Sequence, residues 1–195
     1  MPYRRRPGRR RSGCGWLSQP GTDRTGSLAG PLIVTAELGA SDFAWLDGLR
    51  REHFPAERNR VPAHLTLFRS LPPGAEAEVR RALARACTEA APKATISGLM
   101  DLGSGVAVRV RSDDLDSIRE QLVDHFHGLL TPQDSSGWIP HVTVQNKVER
   151  GTARELLRRL EPQIEPRPLA IRGLLLFRYA DGLWDTLGGY RFRGT

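Results

Sequence analysis

The chain has 195 residues, of which 39% are hydrophobic and 26% are charged, the composition of an ordinary globular protein with a core of its own. No window holds the ~20 apolar residues of a membrane span, no apolar stretch follows the N-terminal charges as in a secretory signal, and two cysteines are too few for a disulfide framework. We therefore expect a cytoplasmic protein with no membrane association.

The net charge of +7 is concentrated in residues 1–29, which carry +6, so the remaining 166 residues are close to neutral at +1. This first segment is rich in Gly, Pro, Ser and Arg and lacks apolar periodicity. It cannot bury enough surface to offset its ordering entropy, and we predict a disordered basic tail. The tail is either a non-specific phosphate-binding arm or a mis-assigned start.

The next residues predict alternating strands and helices. The stretch PLIVTAEL (31–38) is apolar and β-branched, as in a strand, and a helix follows over 42–54. The segment VPAHLTLFRSL (61–71) predicts a second strand, 75–91 a second helix, and ISGLMDL (96–102) one strand of a hairpin.

The same series then recurs. GVAVRVRS (105–112) alternates valine with Ala107, Arg109 and Arg111, as a half-buried strand does, and 114–126 carries apolar residues at helical spacing. A strand containing HVTV, a helix over 152–161 and a closing hairpin complete the series, with Asp181-Gly182 as the hairpin turn.

The recurrence is an internal repeat. At an offset of 77, residues 64–83 align with residues 141–160 without a gap, and six of the 20 pairs are identical, where unrelated sequences give roughly one or two. We interpret residues 30–195 as one α+β domain with pseudo-repeats at about 31–104 and 105–193. The predicted fold is bilobal, with two mostly antiparallel sheets around a central cleft and helices on the outside.

The repeat duplicates a histidine and a threonine. Because side chains alternate along a strand, His64 and Thr66 share one face, and His141 and Thr143 share the equivalent face. Imidazole titrates near ~6.5, so two imidazoles that converge on a cleft can act as general acid and general base together. The two hydroxyls can hold anionic oxygens as charge shifts, and displacement at phosphorus needs this set of groups without requiring a metal.

HLTL and HVTV resemble the paired HxTx motifs of the two-histidine (2H) phosphoesterase superfamily, especially its branch of bacterial 2′-5′ RNA ligase and RNA 2′,3′-cyclic phosphodiesterase-like proteins. The resemblance covers about residues 31–195. It implies a metal-free cleft enzyme that opens an RNA 2′,3′-cyclic phosphate to a 2′-phosphate, with 2′-5′ ligation in some members. We also expect a monomer that uses no cofactor. Related enzymes often use the first histidine as acid and the second as base, but the near-equivalence of the two repeats leaves this assignment open.

Strand alternation nominates neighbours of the four residues. Phe68 continues the face of His64 and could stack on a base, although core packing is an alternative. Lys147 continues the face of His141 and could meet a flanking phosphate, although an exposed strand end in solvent is an alternative. By the same alternation, Arg69 and Asn146 fall on the opposite face.

Two other functions stay open. One is a cyclic phosphodiesterase for a small nucleotide-like metabolite, with which the near-neutral domain is compatible. The other is an RNA-binding module without turnover, against which the intact His/Thr quartet argues.

Overall fold

A computed structural model describes residues 30–193 of the chain. The predicted basic tail, residues 1–29, lies outside the described residues. Within residues 30–193 no helix could span a membrane, and the longest helix has 14 residues.

The chain from residue 30 forms the predicted strands and helices in the predicted order, with a short helix at 132–135 and a short strand at 167–169 in addition. The strands are β1 Leu32–Leu38, β2 Leu65–Leu71, β3 Ala94–Asp101, β4 Val106–Arg111, β5 His141–Gln145, β6 Arg167–Leu169, β7 Ile171–Ala180 and β8 Leu183–Arg191. The helices are α1 Ala40–His53, α2 Glu76–Ala86, α3 Asp113–His125, the short α4 Pro132–Ser135 and α5 Arg150–Leu160. The fold is α+β, as predicted.

The described strands form an eight-stranded sheet in the order β6-β3-β4-β5-β2-β1-β7-β8, with antiparallel neighbours throughout. The predicted pair of sheets is thus two half-sheets of one continuous sheet. Their seam is the β2–β5 pairing, made by the single residue pair Leu65 and Val142. These two residues are equivalent at the offset of 77, so the seam lies where the two motifs meet.

Each half-sheet, β6-β3-β4-β5 or β2-β1-β7-β8, combines strands of both sequence repeats. β3 belongs to the first repeat but pairs with β4, and β7 belongs to the second repeat but pairs with β1. Antiparallel hairpins explain this arrangement, because a short turn lets β3 lead directly into β4. The β7–β8 hairpin turns at Asp181-Gly182, as predicted, and both turn residues have positive φ, as a tight turn of this kind requires.

The helices cover the core face of the sheet. Helix α3 begins at Ser112, whose hydroxyl accepts a hydrogen bond from the backbone N–H of Leu115 at 3.1 Å. Its apolar side, including Leu115 and Leu122, is buried, and Phe126 packs behind it with no exposed surface. The core therefore lies on one face of the sheet and leaves the other face for the histidines and threonines.

Equivalent bulges interrupt β2 and β5. Along β1, consecutive residues pair with Thr66 and Phe68, so Leu67 is an extra residue in β2. The β4–β5 pairing skips Val144 in the same way. Since 67 and 144 also differ by 77, the two strands carry the same irregularity, and each bulge reverses which side chains face the cleft beyond it.

Replacement of Gly105 by alanine tests how closely the backbone just before β4 approaches the end of β5. A Cβ there would lie 2.1 Å from the Gln145 carbonyl oxygen, so we expect Gly105→Ala to lower the free energy of unfolding by about 1–3 kcal/mol. Gly48 is exposed within α1 and has open space around it, so Gly48→Ala should raise stability by about 0.5–1 kcal/mol. Urea unfolding of both variants measures the contrast, and equal midpoints would contradict this packing.

Candidate active site

The two motif histidines line one cavity of about 620 Å³ between the half-sheets. His64 lies just before β2 and His141 begins β5, and each is followed by a member of the seam pair. Each imidazole has its Nδ1 2.7 Å from the backbone carbonyl two residues earlier, that of Pro62 or Ile139. A carbonyl only accepts, so Nδ1 carries the proton in the neutral ring and Nε2 is left to exchange one.

The two motif threonines line the same cavity. Their backbones are held by two side-chain donors: the indole N–H of Trp138 donates to the carbonyl of Thr66 at 2.9 Å, and Arg50 donates to that of Thr143 at 2.7 Å. No residue within 30–193 forms a hydrogen bond with either hydroxyl. Both hydroxyls are therefore available to a ligand in the cavity.

Arg50 supports the wall that carries Thr143. It reaches from α1 to the Thr143 carbonyl and also donates to Asn59 Oδ1 at 2.9 Å and to the Val61 carbonyl at 3.1 Å. Its guanidinium lies over the ring of Phe54, 4.1 Å from the centroid. Burial lowers the pKa of Arg50 to about 10, which still leaves it positively charged at neutral pH.

The bulge in β2 is held by two buried charged side chains. The carboxylate of Asp134 accepts hydrogen bonds from the backbone N–H groups of Arg69 and Ser70, both at 2.9 Å. Arg119 donates to the carbonyl of Leu67, the extra residue of the bulge, and to the Asp134 carbonyl. Backbone groups that lose ladder partners at a bulge need such replacements, so these side chains maintain the shape of this wall.

Both imidazoles are held mainly neutral by their surroundings. Burial lowers the pKa of His64 to about 4, against the opposing hydrogen bond to Pro62, and the charges of Arg50, His141 and Arg69 lower it further. Burial also lowers the pKa of His141 below 6.5, with Arg69 acting in the same direction. A cavity of this kind favours an anionic ligand, whose charge would stabilise the imidazolium form.

Neither of the two nominated binding residues lines the cavity. The prediction for Phe68 is wrong, whereas contact of Lys147 with a flanking phosphate stays a prediction. Phe68 has no exposed surface and packs edge-on against Phe126, with ring centroids 5.8 Å apart, so it cannot stack on a base. Lys147 is exposed beyond the end of β5, where its φ is 62°. The bulges explain both differences, because simple alternation does not continue through an extra residue.

Arg69 and Asn146, predicted on the opposite face, line the cavity instead. They are equivalent at the offset of 77 and follow equivalent bulges, so each wall presents three side chains rather than two. The apolar doublet Leu67-Phe68 breaks the alternation of β2 and could have indicated the first bulge. The second copy reads VTVQN and contains no such signal.

Aromatic side chains form the rim of the cavity. Trp184 packs on His64 with ring centroids 4.5 Å apart and also contacts Phe177, while Tyr179 and Trp138 line other sides. Of the closing hairpin, Tyr179 and Trp184 thus reach the cavity. Two of its arginines are instead held in ion pairs, Arg178 with Glu76 and Arg191 with Glu37.

Titratable side chains elsewhere do not form a metal-binding cluster. Within residues 30–193, no group of three or more His, Cys, Asp or Glu side chains is placed to hold a metal ion. The polar side chains that line the cavity with the two histidines are mainly hydroxyl, guanidinium and amide groups, and the carboxylate among them is that of Asp134.

Solved structures with the same fold include LigT of E. coli in its complex with 3′-AMP, with a TM-score of 0.61 and 17% identity over 85% of this chain and 99% of that chain. The protein TT0787 of Thermus thermophilus gives a TM-score of 0.59 and 18% identity over 84% of this chain and 98% of that chain. At this level of identity the likeness shows the fold alone. No curated protein matches the chain.

The sequence family gives a more direct assignment. The profile of the 2′-5′ RNA ligase superfamily matches residues 39–183, well over half of the chain and a range that contains both HxTx motifs. The resemblance to the two-histidine phosphoesterases is thereby confirmed, and the chain belongs to the 2′-5′ RNA ligase superfamily.

Proposed function

We propose that this protein hydrolyses the 2′,3′-cyclic phosphate at an RNA end to a 2′-phosphate. The observation that carries the proposal is the pair of imidazoles, His64 and His141, each with Nδ1 held by a carbonyl and Nε2 left to exchange a proton in one cavity. Hydrolysis at phosphorus needs one proton removed from the nucleophile and one delivered to the leaving oxygen. Two equivalent imidazoles supply both transfers.

The reaction proceeds by attack of water on phosphorus. One neutral imidazole takes a proton from the water as the new P–O bond forms, and the other, as imidazolium, gives a proton to O3′ as the P–O3′ bond breaks. The product carries a 2′-phosphate and a free 3′-hydroxyl. The hydroxyls of Thr66 and Thr143 donate to the non-bridging oxygens, where negative charge develops.

The protonation states favour one division of roles. The pKa of His64 is lowered to about 4, and more cations act on it than on His141, so His64 is the more firmly neutral ring. This difference favours His64 as the base and His141 as the acid during hydrolysis. The same division of roles holds if the 5′-hydroxyl of a second RNA replaces water and O3′ leaves, which yields a 2′,5′ linkage. The roles exchange only in the reverse reaction.

A second candidate is hydrolysis of a small nucleotide-like cyclic phosphate. It is favoured by the near-neutral charge of residues 30–195 and by structures of the relative LigT complexed with 3′-AMP, NADP⁺ and ATP. The third candidate, RNA binding without turnover, leaves the two available Nε2 atoms without a purpose.

Removal of either imidazole tests catalysis. We expect His64→Ala and His141→Ala each to lower kcat on an oligoribonucleotide with a 2′,3′-cyclic phosphate by about 10²–10⁴-fold in the presence of a chelator. His127→Ala is the matched control, because His127 is exposed outside the cavity. Quenched time points resolved by chromatography give the rates. Turnover that survives both substitutions would refute the mechanism, and turnover of a cyclic mononucleotide alone would favour the second candidate.

The lowered pKa values predict an acidic optimum for kcat/KM. This parameter reports the free enzyme, in which one imidazole must be protonated and the other neutral. Because the pKa values of His64 and His141 both lie below 6.5, kcat/KM should peak below pH 6.5 and fall as pH rises through the higher of the two. The maximum of kcat should lie at higher pH, since bound phosphate stabilises the imidazolium. Initial rates from pH 4 to 9 measure both profiles, and a kcat/KM optimum above pH 7.5 is the contrary result.

A further inference from the structure

Strand β4 carries two arginines for which the proposed reaction has no use. Arg109 and Arg111 are exposed, while the valines that alternate with them are buried in the core. An arginine on a sheet is commonly stabilised by a carboxylate on a neighbouring strand. Neither Arg109 nor Arg111 has an ion pair or a side-chain hydrogen bond to any residue within 30–193. Both charges are therefore open to solvent.

The sheet register places these arginines on the face of the catalytic histidines. Arg109 is the direct partner of His141 across the β4–β5 ladder, and directly opposed residues of antiparallel strands point to the same side. Arg111 follows two residues later on that side, about 6.6–6.8 Å farther along the strand. It therefore lies beyond the end of β5, so the two charges run outward from the cavity.

The surface beside the first arginine is unobstructed. Its partner on β3 is Gly98, where a Cβ would meet no atom within 4 Å. The other flank of Arg109 is His141 itself. A chain that leaves the cavity past His141 would pass over Arg109 and then Arg111 without meeting a side chain from β3 beside Arg109.

The positive charge at Arg109 and Arg111 is local and does not reflect a basic domain. Residues 30–195 carry a net charge of only +1, and several other arginines are neutralised by carboxylates, including Arg167 by Asp42 and Arg178 by Glu76. Two unpaired guanidiniums in line beside the cavity thus form a small positive track in a nearly neutral domain.

We infer that Arg109 and Arg111 bind the backbone phosphates of an RNA strand whose end lies in the cavity. The inference rests on the proposed function. A 2′,3′-cyclic phosphate can form only at a 3′ end, so every further nucleotide lies on its 5′ side and the track holds the first phosphates in that direction. The substrate class is accordingly an oligoribonucleotide, and a cyclic mononucleotide, which has no such phosphates, is the poorer substrate.

Kinetics on two substrates test the track. We expect R109A/R111A to raise KM for an oligoribonucleotide with a cyclic phosphate by about tenfold, with kcat within twofold, and to leave kcat/KM for a 2′,3′-cyclic mononucleotide within twofold. R81A/R85A removes the same charge from exposed positions on α2 and should change neither. R109K/R111K, which keeps the charge, should recover most of the lost affinity. Equal losses on both substrates, or equal losses in the α2 control, would overturn the inference.

Binding separates this inference from the proposed function. The affinity for a fluorescent oligoribonucleotide ending in a 3′-phosphate is measured by anisotropy at several salt concentrations. Two lost phosphate contacts should reduce the slope of log affinity against log salt by about 1.4 in R109A/R111A. If the wild-type protein turns over no substrate but its slope exceeds that of R109A/R111A by about 1.4, the phosphate track is supported and the proposed function fails. If the wild-type protein and R109A/R111A have equal slopes, the phosphate track is refuted, whether or not the oligonucleotide is turned over. The track is also refuted if the wild-type protein does not bind the oligonucleotide.

Discussion

One backbone pairing determines the geometry of the site. Leu65 of β2 and Val142 of β5 are the only residue pair of the seam between the half-sheets in the described chain, and the residue before each is a motif histidine. The pairing therefore fixes the separation of His64 and His141 through the main chain, which is far stiffer than a contact between side chains. The carbonyl acceptors at Nδ1 then fix which nitrogen of each ring can exchange a proton.

The electrostatics of the cavity favour an anionic ligand. Burial and the nearby guanidiniums of Arg50 and Arg69 oppose the charging of His64, so the site holds neutral imidazoles among fixed cations. A bound phosphate anion would pair with these guanidiniums and would raise the pKa of a nearby imidazole, which stabilises its imidazolium form. Under the proposed mechanism the ligand therefore completes the acid–base pair, which ties proton transfer to the presence of phosphate.

The sequence predicts which motif residues meet in the cavity better than it predicts their neighbours. The repeat at an offset of 77 identifies the motif residues, and hydrophobic periodicity gives the order of the elements, because both are local properties of the chain. The bulges at Leu67 and Val144 are not local in this sense, since they depend on the register with β1 and β4. Strand alternation therefore assigned Phe68 to the cleft and Arg69 away from it, and the structure reverses both.

The supporting residues are hidden from sequence reasoning for a related reason. Arg50 and Arg119 read as ordinary polar positions in amphipathic helices, yet each projects to a carbonyl of a motif strand far away in the chain. The connection becomes visible only after the helices pack on the sheet. The role of Asp134 is equally invisible in the sequence, because its carboxylate accepts from two backbone N–H groups that have no ladder partners at the bulge.

The most direct test of the account is a nitrogen NMR titration of the two imidazoles with a nucleoside 3′-monophosphate. Both free rings should be neutral at pH 7 with the proton on Nδ1, and one equivalent of ligand should shift the Nε2 resonances of His64 and His141 together. A response from only one ring, or a neutral ring protonated at Nε2, would contradict a shared phosphate site.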